Sequence, residues 1–136
     1  MALYYVDSSA LLKLVLDEVG SPQMRTLFAA GDLWFTGDIT RTEVPRALAR
    51  LAPGLPSSER TTVLIGLALV ELDRDIYDLA GRLQPARLRS LDAIHVAAAL
   101  SLGSDLTAVV TYDERMAEAA RLNGLSVLTP GVEPAR

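Results

Sequence analysis

Short apolar runs alternate along the chain with longer stretches whose apolar positions recur at helical spacing. Leu3-Tyr4-Tyr5-Val6 is the first run. The Ser8-Ser9-Ala10-Leu11-Leu12-Lys13-Leu14-Val15-Leu16 stretch behind it opens with cap residues and continues with helix formers. Gly20 breaks that helix, Ser21-Pro22 reads as the N-cap and first position of the next, and Gly31 ends it. Leu33-Trp34-Phe35-Thr36 predicts a second strand, and a helix from about Thr40 to Leu51 stops at Ala52-Pro53-Gly54. Pro56-Ser57-Ser58-Glu59 predicts the start of another helix that carries Thr62 to Leu69, with Val70 to Asp73 as a short third strand. Helical patterns resume from about Ile76 to Leu83 and from Ser90 to Leu102. Ala108-Val109-Val110-Thr111 is a compact β-branched strand, Asp113 to Leu122 a helix closed by Asn123-Gly124, and Leu125 to Leu128 a last strand before a Pro- and Gly-containing tail.

Strands alternating with helices of this length imply right-handed crossovers and a mainly parallel sheet of four to five strands, covered by helices on both faces. The expected fold class is a three-layer α/β architecture. At 136 residues and 50% hydrophobic, the chain reads as a single domain over 1–136, with its core at about 3–128 and a short C-terminal tail. Its apolar runs are too short to cross a bilayer, and the N-terminus shows neither a basic region nor a cleavage site, so no membrane association and a cytoplasmic location are expected. With no cysteine, sulfur-ligated zinc and thiolate chemistry are excluded, and any metal must be held by oxygen. A net charge of −4 argues against coating nucleic acid by bulk electrostatics. Local basicity survives in two arginine groups, Arg41, Arg46 and Arg50, then Arg82, Arg87 and Arg89, which also suit a solvated, ion-paired surface.

Four acids stand at or just inside predicted helix starts: Asp7, Glu43, Asp92 and Asp113. Each has a local explanation. Thr40-x-x-Glu43 fits a capping box, Asp92 follows the expected cap Ser90, and Asp113 and Asp7 suit N-caps. Capping does not require the four to meet, whereas a doubly wound sheet with adjacent first and fourth strands brings Asp7 and Asp113 to one edge, where ligands of such sheets bind. Converging carboxylates repel, and one or two divalent cations offset that repulsion in a site suited to phosphate chemistry.

The Tyr5-Val6-Asp7-Ser8-Ser9-Ala10-Leu11 segment, Glu43-Val44-x-x-Ala47-Leu48, Leu91-Asp92-Ala93-Ile94-His95-Val96-Ala97-Ala98-Ala99 and Val110-Thr111-Tyr112-Asp113-x-x-Met116 resemble the ordered acidic motifs of PIN-domain nucleases, most closely the VapC-type toxins of toxin–antitoxin pairs. The resemblance runs from Val6 to about Leu128. It implies a PIN-like fold and a Mg²⁺-dependent endoribonuclease, with Mn²⁺ as a possible substitute. Asp7, Glu43, Asp92 and Asp113 would be the catalytic, metal-binding cluster, Asp7 and Asp92 its most direct ligands, and Ser8 and Thr111 supporting polar groups. The implied partners are an RNA substrate, a VapB-like antitoxin whose C-terminal segment covers a groove near the acids, and a second copy in a homodimer. Asp38 departs from the motif, which more often carries Ser or Thr there.

Other side chains have plainer readings. His95 lies three residues after Asp92, which suggests a general base, but a histidine in an Ala-rich helix is more often a satisfied core residue. Arg87, Arg89 and Arg115 flank the acidic motifs and suit either RNA phosphates or neighbouring acids. Tyr4, Tyr5, Phe28, Trp34 and Phe35 read as core. Faces for a second copy are the Ala-rich helix after Asp92 and the Thr62 to Leu69 segment. Competing functions are a PIN nuclease of RNA maturation or DNA processing, a catalytically silent antitoxin-binding module, and a phosphoacceptor receiver domain. The last needs a late-strand lysine, and Lys13 is the only lysine in the chain.

Overall fold

Five strands form from the apolar runs: β1 (Leu3–Val6), β2 (Leu33–Gly37), β3 (Ala68–Val70), β4 (Ala108–Val110) and β5 (Val127–Leu128). They are seen in a computed structural model that describes residues 1–132, so the end of the expected tail lies outside the described residues. The strands make one sheet in the order β3-β2-β1-β4-β5, and every neighbouring pair is parallel. The chain winds outward from β1 to β3 on one side and returns to place β4 against the other side of β1. This creates a switch point between β1 and β4, and all five carboxyl ends share one edge.

The helices α1 (Ser8–Val15), α2 (Ser21–Phe28), α3 (Thr40–Leu51), α4 (Arg74–Gly81), α5 (Ser90–Leu100) and α6 (Glu114–Leu122) divide evenly between the faces. Successive strand residues point to opposite sides, and that alternation sorts the core. Tyr4, Val6, Trp34, Ala108 and Val110 pack with Ala10, Leu11, Met24, Val44 and Leu48 of α1 to α3. Tyr5 and Val109 pack with Ile76, Val96, Met116 and the alanines of α5 and α6. Because both faces are covered, β1 and β4 read as unbroken apolar runs with no polar alternation.

The expected helix over Thr62 to Leu69 is absent. Two single 3₁₀ turns, Ser57–Glu59 and Thr62–Leu64, occupy the segment, and β3 starts at Ala68, ahead of the expected Val70 to Asp73. Thr61, Thr62, Val63 and Ile65 are β-branched and Gly66 follows them, a combination that disfavours a continuing helix. Other differences are at the caps. The N-cap of α2 is Gly20, with Pro22 inside its first turn; that of α5 is Arg89; and that of α3 is Ile39, without a side-chain cap bond. The capping box at Thr40 and Glu43 therefore does not form: the Thr40 hydroxyl donates to the Gly37 carbonyl at 3.0 Å. Nor does the Ala-rich stretch of α5 offer a face to a second copy, since Ala97, Ala98 and Ala99 are fully buried.

Candidate active site

Asp7 follows β1 directly and ends up almost completely buried at the carboxyl edge, 4% exposed. It caps α1, its Oδ1 accepting from the Ala10 backbone N–H at 3.1 Å. Ser9 Oγ reaches both carboxylate oxygens, at 2.8 and 2.9 Å, and Thr111 Oγ1 donates to Oδ2 at 2.8 Å. Those two hydroxyls are themselves held by the β4–α6 connection. Ser9 Oγ accepts from the Tyr112 N–H at 2.9 Å, and Thr111 Oγ1 from the Asp113 N–H at 3.1 Å. Asp7 is thus tied to β4 through two side chains, so the adjacent β1 and β4 fix its place. Burial raises its carboxyl above the ordinary value, against the opposing pull of His95 and the hydrogen bonds from Thr111, Ser9 and Ala10.

Asp92 lies in the first turn of α5, and its carboxyl too is raised, first by burial and then by the charges of Asp113 and Asp7, with Arg89 and His95 acting the other way. Asp113 caps α6 with Oδ1, which accepts from the N–H groups of Arg115 and Met116 at 2.9 and 3.0 Å. Asp7, Asp92 and Asp113 therefore share one electrostatic environment, though they come from three distant parts of the chain. Glu43, in the first turn of α3, is drawn in by a different route. Its Oε1 lies 2.7 Å from His95 Nε2, and His95 Nδ1 lies 2.7 Å from the Tyr5 hydroxyl.

His95 is buried, as a core histidine should be, but it is bonded on both sides. Burial opposes its charge, yet the Glu43 hydrogen bond and the charges of Asp7, Glu43 and Asp92 prevail, and its affinity for a proton is raised. Tyr5 is more resistant to ionisation than an ordinary phenol, chiefly through burial, with Asp7, Glu43 and Asp38 adding to the effect. Asp38 follows β2 with its backbone N–H bonded to the Val70 carbonyl at 3.0 Å.

The remaining expected residues separate. Thr111 touches Asp7, whereas the neighbour that does the same from α1 is Ser9 and not Ser8. A serine two positions after an aspartate N-cap can fold back onto the cap carboxylate, and that spacing was the available signal. Tyr5 was missed as a polar participant because a strand tyrosine reads first as core, although a buried phenol needs a partner. Arg89 lies 3.9 Å from Asp92, Arg87 pairs with Glu118 at 3.3 Å, and Arg115 is exposed beside them without an ion pair among the described residues. A separate cleft of 580 Å³ opens at Ser8, Ser9 and Glu43 and runs along α3 past Arg46 and Arg50. Arg46 and Arg50 make no salt bridge among the described residues.

As placed, no three of the described acidic and histidine side chains enclose an ion position. The donor set nevertheless fits a hard divalent cation: every available ligand is a carboxylate oxygen, and Asp7 and Asp92 are both held above their ordinary proton affinity by burial and, for Asp92, by neighbouring acids.

The family model for the PIN domain matches residues 4–122. Ribonuclease VapC46 of Mycobacterium tuberculosis is 40% identical over 130 residues, covering 96% of this chain and 99% of that protein. Among solved structures, Mycobacterium tuberculosis VapC20, described as a sarcin-ricin loop cleaving toxin, superposes with a TM-score of 0.72 at 16% identity, over 96% of this chain and 99% of that one. Rickettsia felis VapBC2, solved with a DNA fragment from its promoter, gives 0.65 at 11% identity, covering 93% and 97%. The chain belongs to the PIN-domain family and, within it, to the VapC type.

Proposed function

We propose that this VapC-type PIN domain is an endoribonuclease that hydrolyses RNA phosphodiester bonds, depends on Mg²⁺ or Mn²⁺, and acts as the toxin of a pair silenced by a VapB-like antitoxin. The observation that supports the reading is that Asp7 and Asp113 follow the adjacent strands β1 and β4 at the carboxyl edge, where the charges of both act on the Asp92 carboxyl, while Glu43 is hydrogen-bonded to His95 of the same helix as Asp92. Asp7, Asp92, Asp113 and Glu43 would hold the ion. When bound, a divalent cation offsets the carboxylate charge and polarises both a phosphate oxygen and an attacking water.

The protein's own contribution is positioning. Ser9, Thr111 and the Ala10 N–H lock the Asp7 carboxylate, while Asp113 uses Oδ1 for its helix cap and keeps Oδ2 for other work. The cleft along α3 supplies Arg46 and Arg50 beside Glu43, and these suit RNA phosphates better than Arg87, which is already paired with an acid. The same cleft, with Leu12, Ile39 and Leu91 in its wall, suits the antitoxin segment. Self-association into a homodimer belongs to the proposal and is checked by sedimentation of the purified protein. Among the described residues no helix is long and apolar enough to cross a membrane.

Purified protein incubated with RNA should cleave it with Mg²⁺ or Mn²⁺, stop in chelator, and lose turnover in Asp7→Asn and Asp92→Asn. Equal cleavage by wild type and both variants would sink the proposed site.

A further inference from the structure

A buried polar chain connects the middle of the sheet to the acidic edge. Gly37 donates its backbone N–H to the Tyr5 hydroxyl at 3.0 Å, the hydroxyl meets His95 Nδ1 at 2.7 Å, and His95 Nε2 meets Glu43 Oε1 at 2.7 Å. Tyr5 is wholly buried and His95 only 2% exposed. Gly37 is part of the design: a Cβ there would stand 2.9 Å from the Tyr5 hydroxyl, so a larger residue displaces the phenol from its place against His95. The Gly37 carbonyl is taken by Thr40, the first residue of α3, and α3 carries Glu43. Four elements, β1, β2, α3 and α5, are thereby joined by polar contacts that end on one carboxylate.

The donors can be assigned by elimination. Tyr5 accepts the Gly37 N–H, and among the described residues its own proton has no acceptor except His95, so with the imidazole neutral the phenol donates to Nδ1. A neutral imidazole whose Nδ1 carries the lone pair bears its proton on Nε2, which faces Glu43. We propose that Tyr5 and His95 are positioning residues for Glu43: together they fix the Nε2–H tautomer, and that N–H engages Oε1 and leaves Oε2 as the oxygen Glu43 presents at the acidic edge. His95 is then no general base, because its Nε2 is committed to donating. The inference rests on reading Glu43 as one of the ion-holding acids. Outer partners that orient such ligands are typically worth ~10- to 100-fold in metal affinity or activity.

The chain contains one histidine, so its two ring nitrogens can be assigned without ambiguity in a ¹⁵N spectrum. In the neutral ring, Nε2 should be the protonated nitrogen, with a proton protected from exchange. Tyr5→Phe keeps the aromatic ring, removes the donor to Nδ1, and should abolish that preference. Mn²⁺ affinity, followed by the paramagnetic resonance of free ion, should fall ~10- to 100-fold in Tyr5→Phe and His95→Leu and largely recover in His95→Gln, whose amide still donates to Glu43. An Nδ1–H tautomer in the wild type, or Mn²⁺ binding by Tyr5→Phe as tight as wild type, overturns the proposal. Tyr5→Phe and the wild-type spectrum keep the test valid if His95→Leu does not fold. The expected tautomer and Mn²⁺ pattern in a protein that cleaves no RNA upholds the relay and overturns the ribonuclease reading.

Discussion

Tyr4 and Tyr5 are neighbours on one strand, and the pleat of that strand sends them to opposite sides of the sheet and to opposite duties. Tyr4 stacks on Trp34, ring centroids 4.7 Å apart, and Trp34 on Phe28 at 5.1 Å, in an aromatic cluster within the apolar core toward α1 to α3. Tyr5 uses its hydroxyl in the chain that ends on Glu43. Within β1, the side chains that face α1 to α3, Tyr4 and Val6, serve packing, whereas Tyr5, facing α4 to α6, carries a hydroxyl into the core and aims it at His95. Composition does not distinguish the two tyrosines. Only their parity on the strand does.

The largest effect expected is at the end of the polar side of this comparison. Asp7→Asn should lower RNA turnover on the order of 10³-fold, the scale of losing a group that meets reacting charge directly. It should not lower stability, because asparagine caps a helix as well as aspartate. The sign follows from the raised proton affinity of Asp7 in the folded state. The native protein binds the proton more readily than the unfolded chain, so the stability from this group is present below its unfolded pKa of about 3.9 and is lost as pH rises through the higher folded value. At neutral pH the charged Asp7 is thus a burden that Asn removes. Denaturant titrations across pH should give an Asp7→Asn curve at or above wild type and flatter with pH; a variant less stable at pH 7 than at pH 4 relative to wild type counts against this.

Trp34→Ala tests the aromatic cluster. Truncating a buried tryptophan should cost about 3 to 5 kcal/mol in urea unfolding, while turnover per folded molecule and Mn²⁺ affinity stay unchanged. A parallel fall in Mn²⁺ affinity would show that the two faces are not separable.

Much of this arrangement could be read before the fold was known, for particular reasons. β1 and β4 are buried on both sides, so their sequences are continuous apolar runs that point to parallel strands. The acids were visible because each opens a helix, while the adjacency of β1 and β4 entered only as the doubly wound arrangement that would bring Asp7 and Asp113 together, and the sheet has that order. The 56–69 segment misled because its polar start imitates a capped helix, while Gly66 and the β-branched residues carry the opposite message. The capping box offered as the local reading of Glu43 does not form, and its carboxylate bonds His95, 52 positions away. A capping pattern is local and was outcompeted by a tertiary partner that no local pattern encodes. The hydroxyl that reaches Asp7 from α1 is that of Ser9, one position past the expected Ser8, and in a helix a shift of one position rotates the side chain by about 100°.

Divalent ion should sharpen the same contrast without any mutation. A ligand that binds only the native state at about 100 times its Kd stabilises by about 2.7 kcal/mol, so saturating Mg²⁺ or Mn²⁺ should raise the thermal midpoint by several degrees. The gain should be larger at pH 8 than at pH 5. Asp7 and Asp92 both bind protons more readily in the folded protein, and at the lower pH those protons compete with the ion. Asp7→Asn and Asp92→Asn should lose most of the shift, and Trp34→Ala should keep it in full although it starts from a lower midpoint. Scanning calorimetry with and without chelator measures all of this, and a shift of equal size in Asp7→Asn would place the ion elsewhere.

The smallest and most discriminating comparison deletes one oxygen from each tyrosine. Tyr5→Phe leaves the buried Gly37 N–H without its acceptor, and an orphaned buried donor costs about 1 to 3 kcal/mol. Tyr4→Phe removes a hydroxyl that has no hydrogen bond among the described residues and is not a buried orphan, while its ring keeps the stack on Trp34. Its stability should stay within about 0.5 kcal/mol of wild type, and its RNA turnover and Mn²⁺ affinity should be indistinguishable from wild type. The two variants have identical composition, differ by one position in the chain, and change the same chemical group. If Tyr4→Phe weakened Mn²⁺ binding as much as Tyr5→Phe, the loss would belong to β1 as a whole, and the division of labour between the faces of the sheet would fail.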